Sequence, residues 1–232
     1  GELARASIYN EDMLFQEFGI DAEIMIDHAW GLEPCGMAEI KAYKPSTNSL
    51  SEGQVLAEPY PYDKARIIVA EMADSLVFQL TDKNLVTDGL TLDVGYDREN
   101  CDKGSYRGPV HIDHYGRSVP KGAHGSTHLG NPSNLGSTIV TAAVELFDQI
   151  ANRSLTVRRI TIAANRVVQD EGVYQFDLFS DVEKQEKEKT LQKALLGIKK
   201  KYGKNAILKG TNFLDGATMR ERNKQIGGHK ES

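Results

Sequence analysis

Six histidines stand in the chain, and four of them form two close pairs, His111 with His114 and His124 with His128, with Asp113 inside the first pair. Imidazoles and a carboxylate at this spacing could hold a Zn²⁺ ion and arm a water for hydrolysis. The pairs fall in a long polar connection and on the strand after it, where histidines accumulate without a ligand role. No pattern of partners around them would orient the rings. A second chemistry is charge: Arg158 and Arg159 open the run VRRITIAANRVV. A third lies just beyond it, in Gln175-Phe176-Asp177-Leu178-Phe179. There a glutamine amide can hydrogen-bond backbone in a small cleft while the Leu178–Phe179 pair fills an apolar pocket. Read without a partner, the same peptide is an amphipathic strand end whose Phe176, Leu178 and Phe179 cover the edge of a core.

The arginines and the peptide need a scaffold. Residues 155–168 are rich in β-branched side chains, and period-2 alternation puts Ile160, Ile162, Ala164 and Val168 on one face, toward a core. The opposite face carries Arg159, Thr161, Ala163 and Asn165, one cation followed by small or polar side chains that let an extended ligand approach the backbone. This is the pattern of a binding face.

A chain of 232 residues with 28 basic and 33 acidic side chains, net charge −5, is not coated in positive charge. The lysines are unevenly placed, with Lys199-Lys200-Lys201, Lys204 and Lys209 clustered late, and the local field at a binding face decides whether nucleic acid is held. Cys35 and Cys101 are far apart with no CxxC spacing, which suggests neither a disulfide framework nor a cysteine metal site and fits a reducing cytosol. No apolar run approaches the roughly 20 residues of a membrane span. The chain opens on Gly1 and directly in helical sequence, as expected of a fragment of a longer protein.

In chain order, helical sequence over residues 2–18 breaks at Gly19-Ile20, and Asp21 starts a further helix reaching Trp30. The pair is helix-hairpin-helix-like, an arrangement that can hold a DNA phosphate on helix N-terminal amides but more commonly serves packing. Residues 32–48, with Pro34, Gly36 and Pro45, read as an extended linker. Residues 49–57 make a first strand. A helix follows, capped by Asp63, with Ala65, Ile68, Val69, Met72, Leu76 and Leu80 on one stripe. Residues 90–96 alternate as a second strand, with Leu90, Leu92, Val94 and Tyr96 inward and Thr91, Asp93 and Gly95 outward. A long connection over 98–122 contains an excursion hairpin near residues 115–117, a third strand lies at 125–129, and a helix over 135–151 precedes the fourth strand. The order β-α-β-β-α-β is the split βαβ arrangement of ferredoxin-like α+β domains, a four-stranded sheet with both helices on one face and the other face open. Beyond the peptide, Ser180 and Glu183 form a capping box for a helix over 181–202, with a short stripe of Leu191, Leu195, Ile198 and Tyr202. Residues 206–232 read as a mobile tail.

These pieces occur in the order of one family. Residues 1–35 resemble the end of the thumb of Y-family translesion DNA polymerases, particularly the UmuC-like members of Gram-positive bacteria. KPSTNSLSEGQVL resembles the tether and first strand of their little-finger domain, and VRRI its last strand. QFDLF resembles the bacterial sliding-clamp-binding pentapeptide, whose usual form is close to QLDLF, and GKNAILKGTNFLDGATMRERNKQIGGHK looks like the C-terminal signature of the UmuC-like branch. The resemblance implies a helical thumb remnant at 1–31, a linker at 32–48, a little-finger domain at 49–172, a clamp-binding peptide at 173–180, and a C-terminal helix with a tail at 181–232. It implies that the sheet's open face lies along duplex DNA, with Arg158, Arg159, Thr161 and Asn165 and the backbone near Ser49 and Ser51 on phosphates, and with Gln175 to Phe179 on the clamp. Such contacts position without reading sequence. Nothing resembles the palm, whose paired carboxylates hold two Mg²⁺ ions in the parent polymerase; Asp12, Asp21 and Glu23 fall on the thumb-like helices. The expectation is a non-catalytic part of an error-prone polymerase of DNA repair and the SOS response, in the cytoplasm, with no cofactor of its own.

Three other readings stand beside it. One is a Zn²⁺ hydrolase at the histidine region, and another is a clamp tether without DNA binding. The third is a single-stranded RNA binder on a similar sheet, against which Thr91, Asp93, Thr161 and Ala163 offer no aromatic stacking platform.

Overall fold

The computed structural model describes every residue except 34, 44–47, 103–105, 114–115, 173–181, 227–228 and 231–232. The chain divides into two compact units, Gly1–Thr47 and Asn48–Ser232.

In the first unit, α1 (Glu2–Tyr9), α2 (Glu11–Phe18) and α3 (Asp21–Trp30) gather around the buried side chains of Ala4, Leu14 and Ala22. The single helix expected over residues 2–18 is broken at Asn10, whose backbone (φ −136°, ψ 37°) leaves the helical region. Gly19, at φ 59°, makes the expected break before α3. A short α4 (Met37–Ala42) stands where an extended linker was expected, because MAEIKA consists of good helix formers despite its lack of an apolar stripe.

The second unit is built on β1 (Leu50–Tyr60), α5 (Tyr62–Asp82), β2 (Leu85–Tyr96), β3 (Ala123–Ser133), α6 (Gly136–Ile150) and β4 (Val157–Asn165). Between β2 and β3 lies the expected excursion, a hairpin of Val110–Ile112 with Ser118–Pro120. The sheet order is β1-β4-β2-β3, antiparallel at each pairing. β1 and β2 are therefore parallel to each other with β4 between them, and β3 and β4 are parallel with β2 between them. The two βαβ units are both split, each by a strand of the other, and the central pair is the second and last of the four long strands. The two-residue strand Val168–Gln169 pairs with the start of β2 and adds a short fifth member.

The core lies between the sheet and the two helices on its one covered face. Ala65, Ile68, Val69, Met72, Leu76 and Leu80 are fully buried along α5, and they meet Leu90, Leu92 and Val94 of β2, Ile160, Ile162 and Ala164 of β4, and Ile139, Ala143 and Phe147 of α6. Gly125 lets α6 come down on β3, since a Cβ there would stand 2.8 Å from Ile150. Arg66 and Tyr62 on α5 both hold Asp148 on α6, the tyrosine hydroxyl donating at 2.5 Å. Val168, expected inward, is 49% exposed. Arg166 adopts a left-handed backbone (φ 47°), which turns Val167 into the core instead.

α7 (Val182–Tyr202) bears the expected stripe only in part: Leu195 and Ile198 are half-buried but Leu191 and Tyr202 are 58% and 66% exposed, and the buried residue of the helix is the polar Gln192. The first turn of α6 has no side-chain cap of its own. Gln192 accepts from the Gly136 amide and Glu188 from the Ser137 amide, each at 2.7 Å, so α7 supplies the missing N-terminal acceptors. The stretch expected as a mobile tail is folded over residues 203–226. Glu71 of α5, 2% exposed, accepts from the amides of Thr218 and Met219 and from the Asn212 side chain, and caps the short helix Met219–Arg222. Lys209 pairs with Asp74 and Lys64 with Asp215. These one-to-one polar contacts have no periodicity, so the sequence does not advertise them.

Candidate nucleic-acid interface

The face of the sheet away from the helices is open, and the register aligns its outward residues into rows. Gly53, Thr161, Asp93 and His124 form one row across β1, β4, β2 and β3; Ser51, Ala163, Thr91 and Ser126 form the next. Val55, Arg159 and Gly95 make a third, and Asn165, Gly89 and His128 a fourth. Every one of these positions outside Val55, Arg159, Asp93 and the histidines is small or an uncharged polar residue. An elongated ligand can therefore reach the sheet backbone, as the β4 pattern led us to expect.

Arg158 and Arg159, adjacent in sequence, part company. Val157 and Ile160 are both in the core, so alternation fails between them where the pairing of β4 with both neighbours shifts. Arg159 is exposed and borders a recess of about 420 Å³ with Thr161, Asp93 and His124. Arg158 turns to the strand end, donates to the Ala57 carbonyl at 3.0 Å and lies 3.7 Å from the carboxylate of the buried Asp97. Of the expected arginine pair, one cation belongs to the open face and the other closes a strand end.

Thr161 lines the recess, and Asn165 donates to the Thr91 hydroxyl at 2.7 Å, tying β4 to β2 on the open side. Ser51 lies on the exposed edge strand opposite Ala163, and Ser49 just precedes the strand. Gln175, Phe176, Asp177, Leu178 and Phe179 lie outside the described residues, as do His114 and Ser180. His111 is on the excursion hairpin; His124 pairs with Asp93, and His128 stands 3.0 Å from Arg166, which itself binds Asp88. Among the described residues no group of three His, Cys, Asp or Glu side chains is placed to hold a metal ion. Among them, too, no helix is long and apolar enough to cross a membrane. His124 and Ser126 belong to the open face and were not foreseen there. Their signal is the alternation of AHGSTHLG, weak because β3 carries no branched aliphatic residue before Leu129.

Comparison with known proteins follows the same lines. Over 232 residues the chain is 24% identical to UvrX of Bacillus subtilis (strain 168), named for UV-damage repair, and 22% identical to DNA polymerase IV 2 of Halalkalibacterium halodurans. Each alignment takes in 99% of this chain but 49% of the relative, so the chain spans about half the length of the curated relatives it matches. A solved complex of the beta-clamp processivity factor with the little finger domain of PolIV aligns at 10% identity and a TM-score of 0.35, over 57% of this chain and 99% of that one. The family model described as the impB/mucB/samB family C-terminal domain matches residues 47–178, from just before β1 to the QFDLF segment. The chain therefore belongs to the impB/mucB/samB family, whose C-terminal domain is matched by residues 47–178.

Proposed function

We propose that the Asn48–Ser232 unit grips the primer–template duplex of a translesion polymerase through the open face of its sheet, and that QFDLF docks the protein on the bacterial sliding clamp. The observation that carries the DNA reading is the combination of a face four strands wide, floored by glycine, alanine, serine and threonine, with Arg159 exposed on it. Small side chains admit phosphates to backbone amides, and an exposed guanidinium adds charge without selecting a base. A grip of this kind accepts distorted templates, which suits a repair polymerase.

The clamp reading rests on the peptide itself, a glutamine followed by an apolar pair, placed between β4 and α7. In the whole protein, templated nucleotidyl transfer with two Mg²⁺ ions belongs to the part of the relatives' length that this chain does not match. Duplex binding by the purified chain at two salt concentrations, with the sliding clamp titrated separately, tests both halves. Salt-sensitive binding indifferent to sequence is expected, together with clamp binding. Absence of DNA binding with the clamp still held would leave a tether only.

A further inference from the structure

The helix side of the second unit, away from the sheet's open face, contains a trough of about 760 Å³ between α5, the end of α7 and the folded C-terminal stretch. Its apolar lining comes from three separate elements: Phe78 of α5, Leu195 and Leu196 of α7, and Ile207, Leu208 and Met219 beyond it. All six are half-buried. The rim is charged, and most of that charge is internally matched. Lys200 pairs with Asp82, Lys209 with Asp74, and Arg222 approaches Glu52 at 3.6 Å. Among the described residues, Lys199 and Lys204 have no carboxylate within ion-pair distance. Lys199 is half-buried over the Phe78 ring, 5.1 Å from its centroid, and its ammonium donates to the Lys204 carbonyl.

An ammonium partly withdrawn from water beside an aromatic ring, with no carboxylate in direct contact among the described residues, can take a further negative charge. Burial holds Lys199 below the usual lysine value, with the charge of nearby Asp74 opposing. A ligand that brought both apolar surface and a carboxylate would satisfy the trough and the cation together. We infer that this trough is a docking site for a partner protein's peptide in which Asp or Glu is flanked by leucine, phenylalanine or methionine anchors, with the acid on Lys199 and Lys204.

The QFDLF segment cannot fill it. Phe179 is joined to the start of α7 at Val182, and three residues reach at most about 10 Å. Leu195 lies about 20 Å further along the helix at 1.5 Å per residue. With QFDLF out of reach, the occupant we assign is a partner in trans. This site lies on the helix layer and does not depend on the DNA reading of the opposite face.

The test is a phage-displayed peptide selection on the purified full chain, followed by binding of the enriched synthetic peptides to three proteins. These are the wild type, Lys199→Ala/Lys204→Ala, and Leu196→Asp, with thermal melts confirming that both variants are folded. The expected peptides pair Asp or Glu with apolar anchors. They should weaken at least tenfold on the double-alanine variant and on changing their own acid to its amide, and should fail on Leu196→Asp. Enriched peptides without acids, equal binding to all three proteins, or no enrichment would each overturn the inference. Duplex DNA binding should be the same in all three proteins, which separates failure here from failure of the sheet-face reading.

Discussion

The Nδ1 atom of His124 lies 2.7 Å from a carboxylate oxygen of Asp93, directly across the β2–β3 register and on the open face of the sheet. A surface proposed to lie along phosphates thus holds a carboxylate in its middle row, beside the recess that Arg159 enters. Like charge near a phosphate opposes binding by about 1 kcal/mol at a solvated surface. Asp93→Asn should therefore tighten duplex binding several-fold, and the gain should shrink as salt is raised. Fluorescence anisotropy with a labelled duplex measures both; unchanged or weaker binding would remove Asp93 from the interface.

The two arginines should separate in the same assay. Arg159→Ala is expected to weaken binding and to lower the magnitude of the salt slope by about one phosphate's worth, roughly 0.9. Arg158→Ala should leave the slope alone and lower the melting temperature, because it removes the cation beside the buried Asp97 carboxylate and the donor to the Ala57 carbonyl. Equal slopes for the two variants would contradict this division.

Clamp docking should be separable from the duplex grip. Gln175→Ala with Leu178→Ala removes the amide and one apolar anchor and should abolish binding of the sliding clamp. Duplex affinity should stay at the wild-type value. Loss of both activities together would mean that the peptide also supports the sheet.

Glu71 anchors the C-terminal stretch through two backbone amides and one side-chain amide. Glu71→Ala leaves those donors unmatched in a buried place and should cost about 2–3 kcal/mol in denaturant unfolding. Hydrogen exchange should quicken at Thr218 and Met219 before it does in α5. Protection unchanged at those amides would show that other contacts hold the stretch.

Acid should loosen the α5–α6 contact. The Arg66 guanidinium, helped by the Tyr62 hydroxyl, holds the Asp148 carboxyl below the usual carboxylate value. A depressed carboxylate stabilises the folded state above its ordinary value, and that contribution disappears as pH falls through the lower folded value. Asp148→Asn should be less stable than wild type near neutrality, by about 1 kcal/mol or less for so partly exposed a group. The two stability curves should converge below about pH 4; a constant gap down to pH 2 would exclude the ion pair as its source.

What the sequence disclosed follows from the range of each interaction. The stripe of α5 and the alternation of Leu90, Leu92 and Val94 are local patterns, and every one of those residues is buried. Strand neighbours are set by contacts distant in sequence, such as Leu50 with Ala164 and Leu92 with Ile162, so the β1-β4-β2-β3 order has no local trace. Arg158 and Arg159 look equivalent in a row of letters; only the irregular pairing at the strand end tells them apart. The C-terminal stretch looked mobile because its anchors are single polar contacts to Glu71 and Asp74, which leave no hydrophobic period to detect.

The sheet order carries a consequence for how the molecule comes into being. β4, the last of the long strands to leave a ribosome, is the one that fills the gap between β1 and β2. Until it arrives those two strands have no common neighbour, and the rows of the open face extend only across β2 and β3. Pairings of such sequence separation form slowly and leave strand edges bare meanwhile. A nascent or truncated chain ending before Val157 is thus expected to be both unable to hold DNA and prone to aggregate, so a full-length final strand acts as the release signal for a working grip.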